Sequence, residues 1–242
     1  PRLISHFFRQ NFSQVTNPPI DSLRETQVMS LKTRFGNLAN ILDNEGQQAD
    51  VLVLESPVLH CRDWHALKDH FGAQAAEIDC TFDAHGGPDA LRQAIARVRA
   101  EAETAVREGK AELFLTDEHV GPDRIAIAMV LAAAAVHTHL VRKGLRSYAS
   151  VNVRSAECLD THYYAVLIGV GATTVNAYLA EAAIADRHAR GLFGDRSLEE
   201  CLKRHRKAID DGLLKIMSKM GISTISSYRG AQLFEIVGLH DE

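Results

Sequence analysis

The sequence predicts an α/β domain with a mainly parallel sheet and alternating helices, preceded by an irregular N-terminal arm. From Val51 onward, short apolar runs alternate with longer amphipathic segments, as in strands joined by crossover helices. The densest short runs, 113–115 and 166–168, suit strands that are buried on both faces. We therefore assign the arm to residues 1–48 and the α/β domain to residues 49–242.

The arm is irregular because of its prolines. Pro18 and Pro19 hold the backbone extended, and Asp21 suits the N-cap of a short helix that ends near Met29. In the α/β domain, six strands follow from short apolar runs. They are predicted at residues 51–54, 76–82, 112–116, 149–153, 165–170 and 223–226.

Three helices between these strands have recognisable ends. Pro88 and Pro122 suit the first turn of a helix, and Ser197 with Glu200 forms a capping box. The predicted helices cover residues 88–109, 122–144 and 197–221. The second is apolar on almost all sides, so we expect it to pack between layers. The pattern fits either a doubly wound sheet or a piece of a (βα) barrel.

Composition excludes several classes of function. A net charge of −4 without a segregated basic face argues against binding nucleic acid. No apolar run approaches the roughly 20 residues that cross a bilayer, so no membrane role is expected. Cys61, Cys80, Cys158 and Cys201 are scattered without a CxxC pair, which predicts neither a disulfide nor a zinc site and suits the cytoplasm.

One glycine-rich turn lies where phosphates often bind. Gly169-Val-Gly171 follows a predicted strand and precedes a predicted helix, but Thr174 replaces the third glycine of the dinucleotide fingerprint. Two interpretations stay open. The segment from Gly169 to Thr173 is a tight turn, or it binds a phosphate or flavin in a stand-alone (βα)-barrel-like enzyme. That enzyme would need eight strands, and six are predicted.

A polar cluster follows the predicted central strand. Asp117 and Glu118 lie where barrel enzymes place catalytic groups, so either would serve as acid or base in a stand-alone enzyme. The simpler interpretation is that they cap the next helix or pair with Arg124. His137 and His139 lie two apart on a predicted helix and so point apart. We predict no catalytic, cofactor-binding or metal-ligating residue in this chain.

The arm segment 16–20 is the strongest candidate for a function. Its two prolines make a rigid wall, on which Thr16 and Asn17 offer polar atoms and Ile20 an apolar one. The alternative from physics alone is an arm that simply packs on the sheet.

Five stretches of the sequence resemble, in the same order, the central domain of glutamate synthase. They are residues 14–25, 29–34, 136–141, 167–180 and 215–230. The resemblance implies a rudimentary version of the family's flavin-binding barrel, without catalysis of its own. It also implies that Thr16, Asn17 and Ile20 contribute to the entrance of an internal ammonia tunnel.

The resemblance further implies a parent enzyme that converts glutamine, 2-oxoglutarate and reductant into two glutamates. This domain would link a glutaminase domain to an FMN-binding domain of the same polypeptide, with a small subunit in the holoenzyme. The parent would carry FMN, an iron–sulfur cluster and NADPH, and this segment would carry none of them. We expect a cytoplasmic protein. We also expect a fragment with open sheet edges to self-associate.

Overall fold

The computed structural model describes residues 3–12, 20–21, 23–40, 42 and 51–239. Its strands are β1 (Phe8–Gln10), β2 (Thr33–Phe35), β3 (Leu52–Leu54), β4 (Val58–Leu59), β5 (Ala75–Asp79), β6 (Thr81–Asp83), β7 (Glu112–Thr116), β8 (Arg124–Ala126), β9 (Ser150–Arg154), β10 (Thr174–Asn176) and β11 (Phe234–Ile236). Its helices are α1 (Glu25–Val28), α2 (Cys61–Phe71), α3 (Ala90–Arg107), α4 (Met129–Arg142), α5 (Thr161–Gly169), α6 (Tyr178–Ala189), α7 (Leu198–Met220) and α8 (Ile225–Tyr228).

The central sheet has five parallel strands in the order β4-β10-β9-β7-β5. Helices α3, α4 and α5 connect β5 to β7, β7 to β9 and β9 to β10 in turn. The predicted α/β class with a mainly parallel sheet is therefore confirmed. Among the described residues the sheet forms no closed barrel, so the architecture is that of a partial barrel. The division at residue 48 stays a prediction.

The two faces of this sheet differ in chemistry because side chains alternate along each strand. One face is apolar and packs against α3, α4 and α5 in the main core. Its fully buried side chains include Leu113, Leu115, Val151, Val153 and Val175. The other face carries polar side chains that are equally buried. They are Glu112, Thr116, Ser150, Asn152, Arg154, Thr174 and Asn176.

A second, smaller core covers part of the polar face. It consists of Phe35, Leu59, Trp64, Leu67 and Phe114, with Trp64 edge-on to Phe114 at 4.8 Å between ring centroids. These residues come from α2 and from segments before it, as well as from the sheet. The face that would line the interior of a closed barrel is therefore filled by side chains of the N-terminal half.

The predicted strand at 165–170 is wrong, because these residues belong to helix α5. The Asp160 side chain accepts a hydrogen bond from the Tyr163 N–H and caps this helix. Every residue from Tyr163 to Gly169 is buried, so the segment has no polar face to reveal a helical period. A short apolar run of this kind does not distinguish a strand from a buried helix.

Three other predicted elements are also corrected. Residues 223–226 form a single bridge from Thr224 to Ser30 and the start of α8, not a strand. The helix predicted from Pro122 begins at Met129, because β8 first pairs with β6. The strand predicted at 76–82 is interrupted at Cys80, which separates β5 from β6.

Four of the predicted elements correspond to elements of the structure. Helix α7 begins after Ser197, whose side chain accepts from the Glu200 N–H, and it ends at Gly221 in the left-handed conformation. The strands predicted at 112–116 and 149–153 correspond to β7 and β9. The strand predicted at 51–54 forms as β3, but it pairs antiparallel with β2 outside the central sheet.

Candidate functional site

The carboxyl end of the parallel sheet gathers polar side chains from four strands. Glu118 follows β7, Arg154 ends β9, Asn176 ends β10 and Cys61 follows β4. In (βα) barrels this end carries the active site. The loops here bring these groups together from positions far apart in the sequence.

Arg154 is the centre of this group, and its side chain is only 7% exposed. Its Nη2 donates to Glu118 Oε1 at 2.7 Å, its Nε lies 2.6 Å from Glu118 Oε2, and its Nη1 donates to Asn176 Oδ1. The guanidinium also lies 4.8 Å from the ring centroid of Tyr178 and 5.9 Å from that of Trp64. We call Trp64, Glu118, Arg154, Asn176 and Tyr178 the carboxyl-end cluster.

The balance of charges keeps Arg154 a cation. Burial lowers the pKa of this guanidinium, but the hydrogen bond and charge of Glu118 outweigh burial and raise it. Its two Nη groups donate to protein acceptors, and two aromatic rings lie close to the guanidinium. The cluster therefore ties the ends of β7, β9 and β10 together, with its cation already neutralised.

Asp117 is fully buried beside this cluster and holds the backbone just after β9. Its carboxylate accepts from the Ala156 N–H at 3.0 Å and from the Ser155 hydroxyl at 3.2 Å. Burial raises the pKa of Asp117, although these donors oppose the shift. Arg124 pairs with Asp79 at 2.6 Å. The predicted pairing of Asp117 or Glu118 with Arg124 is therefore wrong, and so is the prediction that they cap a helix.

A second carboxylate closes the β4 side of this end. Glu181 accepts from the Cys61 N–H at 3.0 Å and lies 3.3 Å from His60 Nδ1. Burial opposes its ionisation, yet the hydrogen bonds from His60 and Cys61 lower the pKa of Glu181 below its usual value. Burial and the neighbouring Glu181 raise the pKa of the Cys61 thiol, so it is not an activated nucleophile.

The elements on either side of the turn from Gly169 to Thr173 occur in the opposite order to the prediction. It follows helix α5 and precedes strand β10, so it lies at a helix C-terminus. Its carbonyl groups accept hydrogen bonds from Arg146 Nη2 at Gly171 and from Arg229 Nε at Ala172. Phosphate binding to a turn relies on free N–H groups at a helix N-terminus. The basis of the predicted phosphate or flavin site was therefore wrong.

His137 lies in the same region as Arg146 and Arg229, at the amino end of the sheet. Its Nδ1 accepts from Arg146 Nε at 3.0 Å, and a Cβ at Gly171 would lie 2.2 Å from its ring. Burial lowers the pKa of His137 to about 4 and those of Arg146 and Arg229 to about 10. We call His137, Arg146 and Arg229 the amino-end cluster. It holds a neutral histidine between two guanidinium groups.

A buried glutamate lies inside the sheet near this end. Glu112 Oε2 accepts from Asn152 Nδ2 at 2.9 Å, and Asn152 Oδ1 accepts from the Thr174 hydroxyl at 2.7 Å. Burial raises the pKa of Glu112 to about 8. The carboxyl group is therefore mainly protonated at neutral pH, and it links β7 to β9 and β10 without a charge.

Of the three residues predicted for the tunnel, the structure describes Ile20. Thr16 and Asn17 lie outside the described residues, whereas Ile20 is half-buried and packs against the main core.

His137 and His139 contact different partners, as their spacing predicts. His137 accepts from Arg146, whereas His139 bonds Glu103 at 2.6 Å.

The sequence interpretation singled out Glu118 and His137 but did not bring them together with their partners, and it missed Glu112. The signal that could have revealed part of them is a polar residue at every second position of an otherwise buried strand. It is present in Val151-Asn-Val-Arg154 and in Thr174-Val-Asn176.

The described part of the chain holds neither a metal-binding group of side chains nor a membrane-spanning helix. Among those residues, no three histidine, cysteine, aspartate or glutamate side chains are grouped so that they could hold a metal ion. None of the described helices combines the length and apolar character needed to span a bilayer.

Comparison with known proteins gives a consistent result. Residues 1–240 match the family described as the glutamate synthase central domain. The NADPH glutamate synthase large chain of Azospirillum brasilense is 65% identical over 98% of this chain. The NADH glutamate synthase of Saccharomyces cerevisiae is 40% identical over 99% of it, and the ferredoxin-dependent chloroplast enzyme of Spinacia oleracea 41% over 99%.

This chain is a small part of those relatives. It spans 16% of the Azospirillum and spinach proteins and 12% of the yeast protein. Among solved structures, the flavin-binding domain of baker's yeast flavocytochrome b2 aligns with 60% of this chain and 36% of its own, at 14% identity and a TM-score of 0.44. That likeness is too low to support a conclusion.

Proposed function

Because the chain belongs to the glutamate synthase central domain family, we propose that it is a non-catalytic connecting domain of a glutamate synthase large chain. In this proposal it links the glutaminase and FMN-binding domains of one polypeptide, in an enzyme that also has a small subunit. The parent makes two glutamates from glutamine, 2-oxoglutarate and reductant. FMN, an iron–sulfur cluster and NADPH belong to that parent, and this segment binds none of them.

One observation supports a connecting rather than a catalytic role. At the carboxyl end of the sheet, Arg154 is held by Glu118 and Asn176 and lies close to two aromatic rings. A barrel enzyme leaves such groups open toward its substrate. Here the same groups bind one another. The stand-alone enzyme is not favoured, since the turn from Gly169 to Thr173 presents carbonyl groups to arginines.

We also propose that Thr16, Asn17 and Ile20 contribute to the wall of an ammonia tunnel. Two prolines stiffen this segment, so it keeps its shape without binding the passing molecule tightly. Ile20 packs against the main core, which anchors the C-terminal side of the segment to the sheet domain.

The test is to replace Thr16 by leucine in the full-length enzyme. The larger side chain narrows the passage, so both half-reactions should persist while less glutamate is made per glutamine consumed, with ammonia released to solvent. Thr16→Val is the matched control, since it keeps the volume and removes only the hydroxyl. Glutamate and ammonia are measured at steady state. An unchanged ratio of glutamate made to glutamine consumed in a folded Thr16→Leu enzyme would rule out the tunnel role of this residue.

A further inference from the structure

A cleft of about 640 Å³ lies where the start of α2 meets α6 and α7. Lysine, arginine, aspartate and glutamate side chains line it, together with the apolar side chains of Leu198 and Leu202. Both signs of charge therefore face one space. We call this space the α7 cleft.

Most charges of the α7 cleft already have a close partner. Lys203 Nζ lies 2.9 Å from Glu199 Oε1, and Lys207 Nζ donates to Asp211 Oδ2 at 2.7 Å. All four of these side chains are exposed, and each pair is one turn apart on α7. Glu181 is bound to the start of α2. These groups have little need of a ligand.

Arg206 differs, because two carboxylates flank it and neither is bonded to it. Its side chain is 28% exposed, with Nη1 at 3.8 Å from Asp63 Oδ2 and Nε at 3.8 Å from Asp210 Oδ2. Hydrogen bonds between a guanidinium and a carboxylate are about 2.7–2.9 Å long. Among the described residues, Arg206 has no hydrogen-bond acceptor within reach. Its planar set of donors is therefore free to bind a ligand in the cleft.

Asp210 has the complementary need. Its Oδ1 accepts from the Ser56 hydroxyl, whereas its Oδ2 lies 3.8 Å from Arg206. Burial raises the pKa of Asp210, and the surrounding donor and cations do not offset this rise. One turn of α7 thus presents a guanidinium without an acceptor and a carboxylate without a close cation.

We propose that the α7 cleft binds a free α-amino acid with an apolar side chain. An amino acid carries a carboxylate and an ammonium group on one carbon, so the carboxylate accepts from Arg206 while the ammonium group lies beside Asp63 and Asp210. A ligand with a carboxylate alone would be repelled by the two aspartates, and one with an ammonium group alone by Arg206. Leu198 and Leu202 provide an apolar contact for the side chain.

Equilibrium dialysis of the full-length enzyme with L-leucine tests the proposal. Leucine takes no part in the proposed parent reaction, so failure here is distinct from failure of the proposed function. Isocaproate and isoamylamine are matched probes, because each keeps the leucine side chain and only one of its charged groups. Leucine should bind at least tenfold more tightly than either. No binding of leucine, or equally tight binding of one of these probes, would overturn the proposal.

Variants of α7 assign the binding to the cleft. Arg206→Gln should weaken leucine binding at least tenfold. Arg204→Gln is the matched control, since Arg204 is on the same helix, is bonded to Glu200 and does not line the cleft, so this variant should bind leucine like the wild type.

Asp210→Asn provides a second measurement, which also serves if Arg206→Gln does not fold. It keeps an acceptor for the Ser56 hydroxyl and removes the charge that the ammonium group needs, so leucine binding should again weaken at least tenfold. Unchanged affinity in a folded Arg206→Gln or Asp210→Asn enzyme, or an equal loss in Arg204→Gln, would contradict the proposal.

Discussion

The two ends of the parallel sheet hold buried arginines in different ways. At the carboxyl end, Arg154 forms an ion pair with Glu118. At the amino end, Arg146 and Arg229 donate to backbone carbonyls, and Arg146 also donates to His137. The carbonyls of Gly171, Ala172 and Thr173 lie just beyond the C-terminus of α5, where the helix dipole favours cations, and that of Ala149 lies just before β9. The cation at the carboxyl end has a carboxylate partner, whereas the cations at the amino end depend on neutral acceptors.

Of the changes that this contrast suggests, replacing Arg146 should lower the stability of the protein most. Arg146→Met leaves the Ala149 carbonyl, the Gly171 carbonyl and His137 Nδ1 without their donor. The two carbonyls are buried and the His137 ring is partly exposed. An unsatisfied buried acceptor costs about 1–3 kcal/mol and a partly exposed one costs less, so the free energy of unfolding should fall by about 5 kcal/mol in all. Urea denaturation measures it.

Arg229→Met is the control for this prediction. It removes donors from only two carbonyls, at Ala172 and Thr173, so its effect should be smaller. An equal loss of stability in the two variants would show that cation burial, rather than the number of acceptors, determines the cost.

Glu112 should make stability fall as pH rises. Its pKa is raised to about 8 in the folded protein, above its ordinary value of 4.5, so between these pH values the folded state holds a proton that the unfolded state has lost. The free energy of unfolding should therefore decrease by about 1.4 kcal/mol per pH unit, or about 3 kcal/mol from pH 4.5 to pH 7.

Glu112→Gln should remove this decrease and keep the hydrogen bond from Asn152. Denaturation curves of both proteins across this pH range provide the comparison. If the free energy of unfolding of Glu112→Gln falls with pH as steeply as that of the wild type, other groups cause the pH dependence.

His137 should have the opposite dependence. Burial lowers its pKa to about 4 from 6.5, so the unfolded state binds the extra proton and stability falls as pH decreases from 6.5 to 4. Because the ring is partly exposed, the loss should be about 2 kcal/mol rather than the full value for this shift. A His137→Gln variant, followed by thermal unfolding at pH 4.5 and pH 6.5, should lose this acid sensitivity. Equal sensitivity in the variant would show that His137 is not its source.

Sequence reasoning placed α7 by its local end signals, but it failed where tertiary contacts decide, as for the helix expected from Pro122. Ser197 and Gly221 marked α7 because a cap acts within one turn. Helix α5 was taken for a strand because its residues are buried on all sides. The carboxyl-end cluster joins Trp64, Glu118, Arg154 and Tyr178 through the strand order β10-β9-β7, which no local pattern contains.

The smallest expected effect is at the carboxyl end, and it decides whether the contrast between the ends holds. Glu118 is 37% exposed on its side chain, so water can solvate it when its partner is lost, whereas Arg154 is 7% exposed. We expect Arg154→Met to cost about 1–2 kcal/mol, because the buried Asn176 Oδ1 loses its main donor. The methionine still packs near the two rings and the remaining carboxylate is rehydrated, which keeps the cost at this level.

Glu118→Gln keeps an acceptor for Arg154 and should cost less. The double variant should be no less stable than Arg154→Met alone, because no unpaired charge then remains; a double-mutant cycle in urea gives the coupling energy. The same replacement, arginine to methionine, should thus be several times more damaging at Arg146 than at Arg154. If the two cost the same, the paired acid at the carboxyl end makes no difference to how a buried arginine is held, and the comparison between the two ends fails.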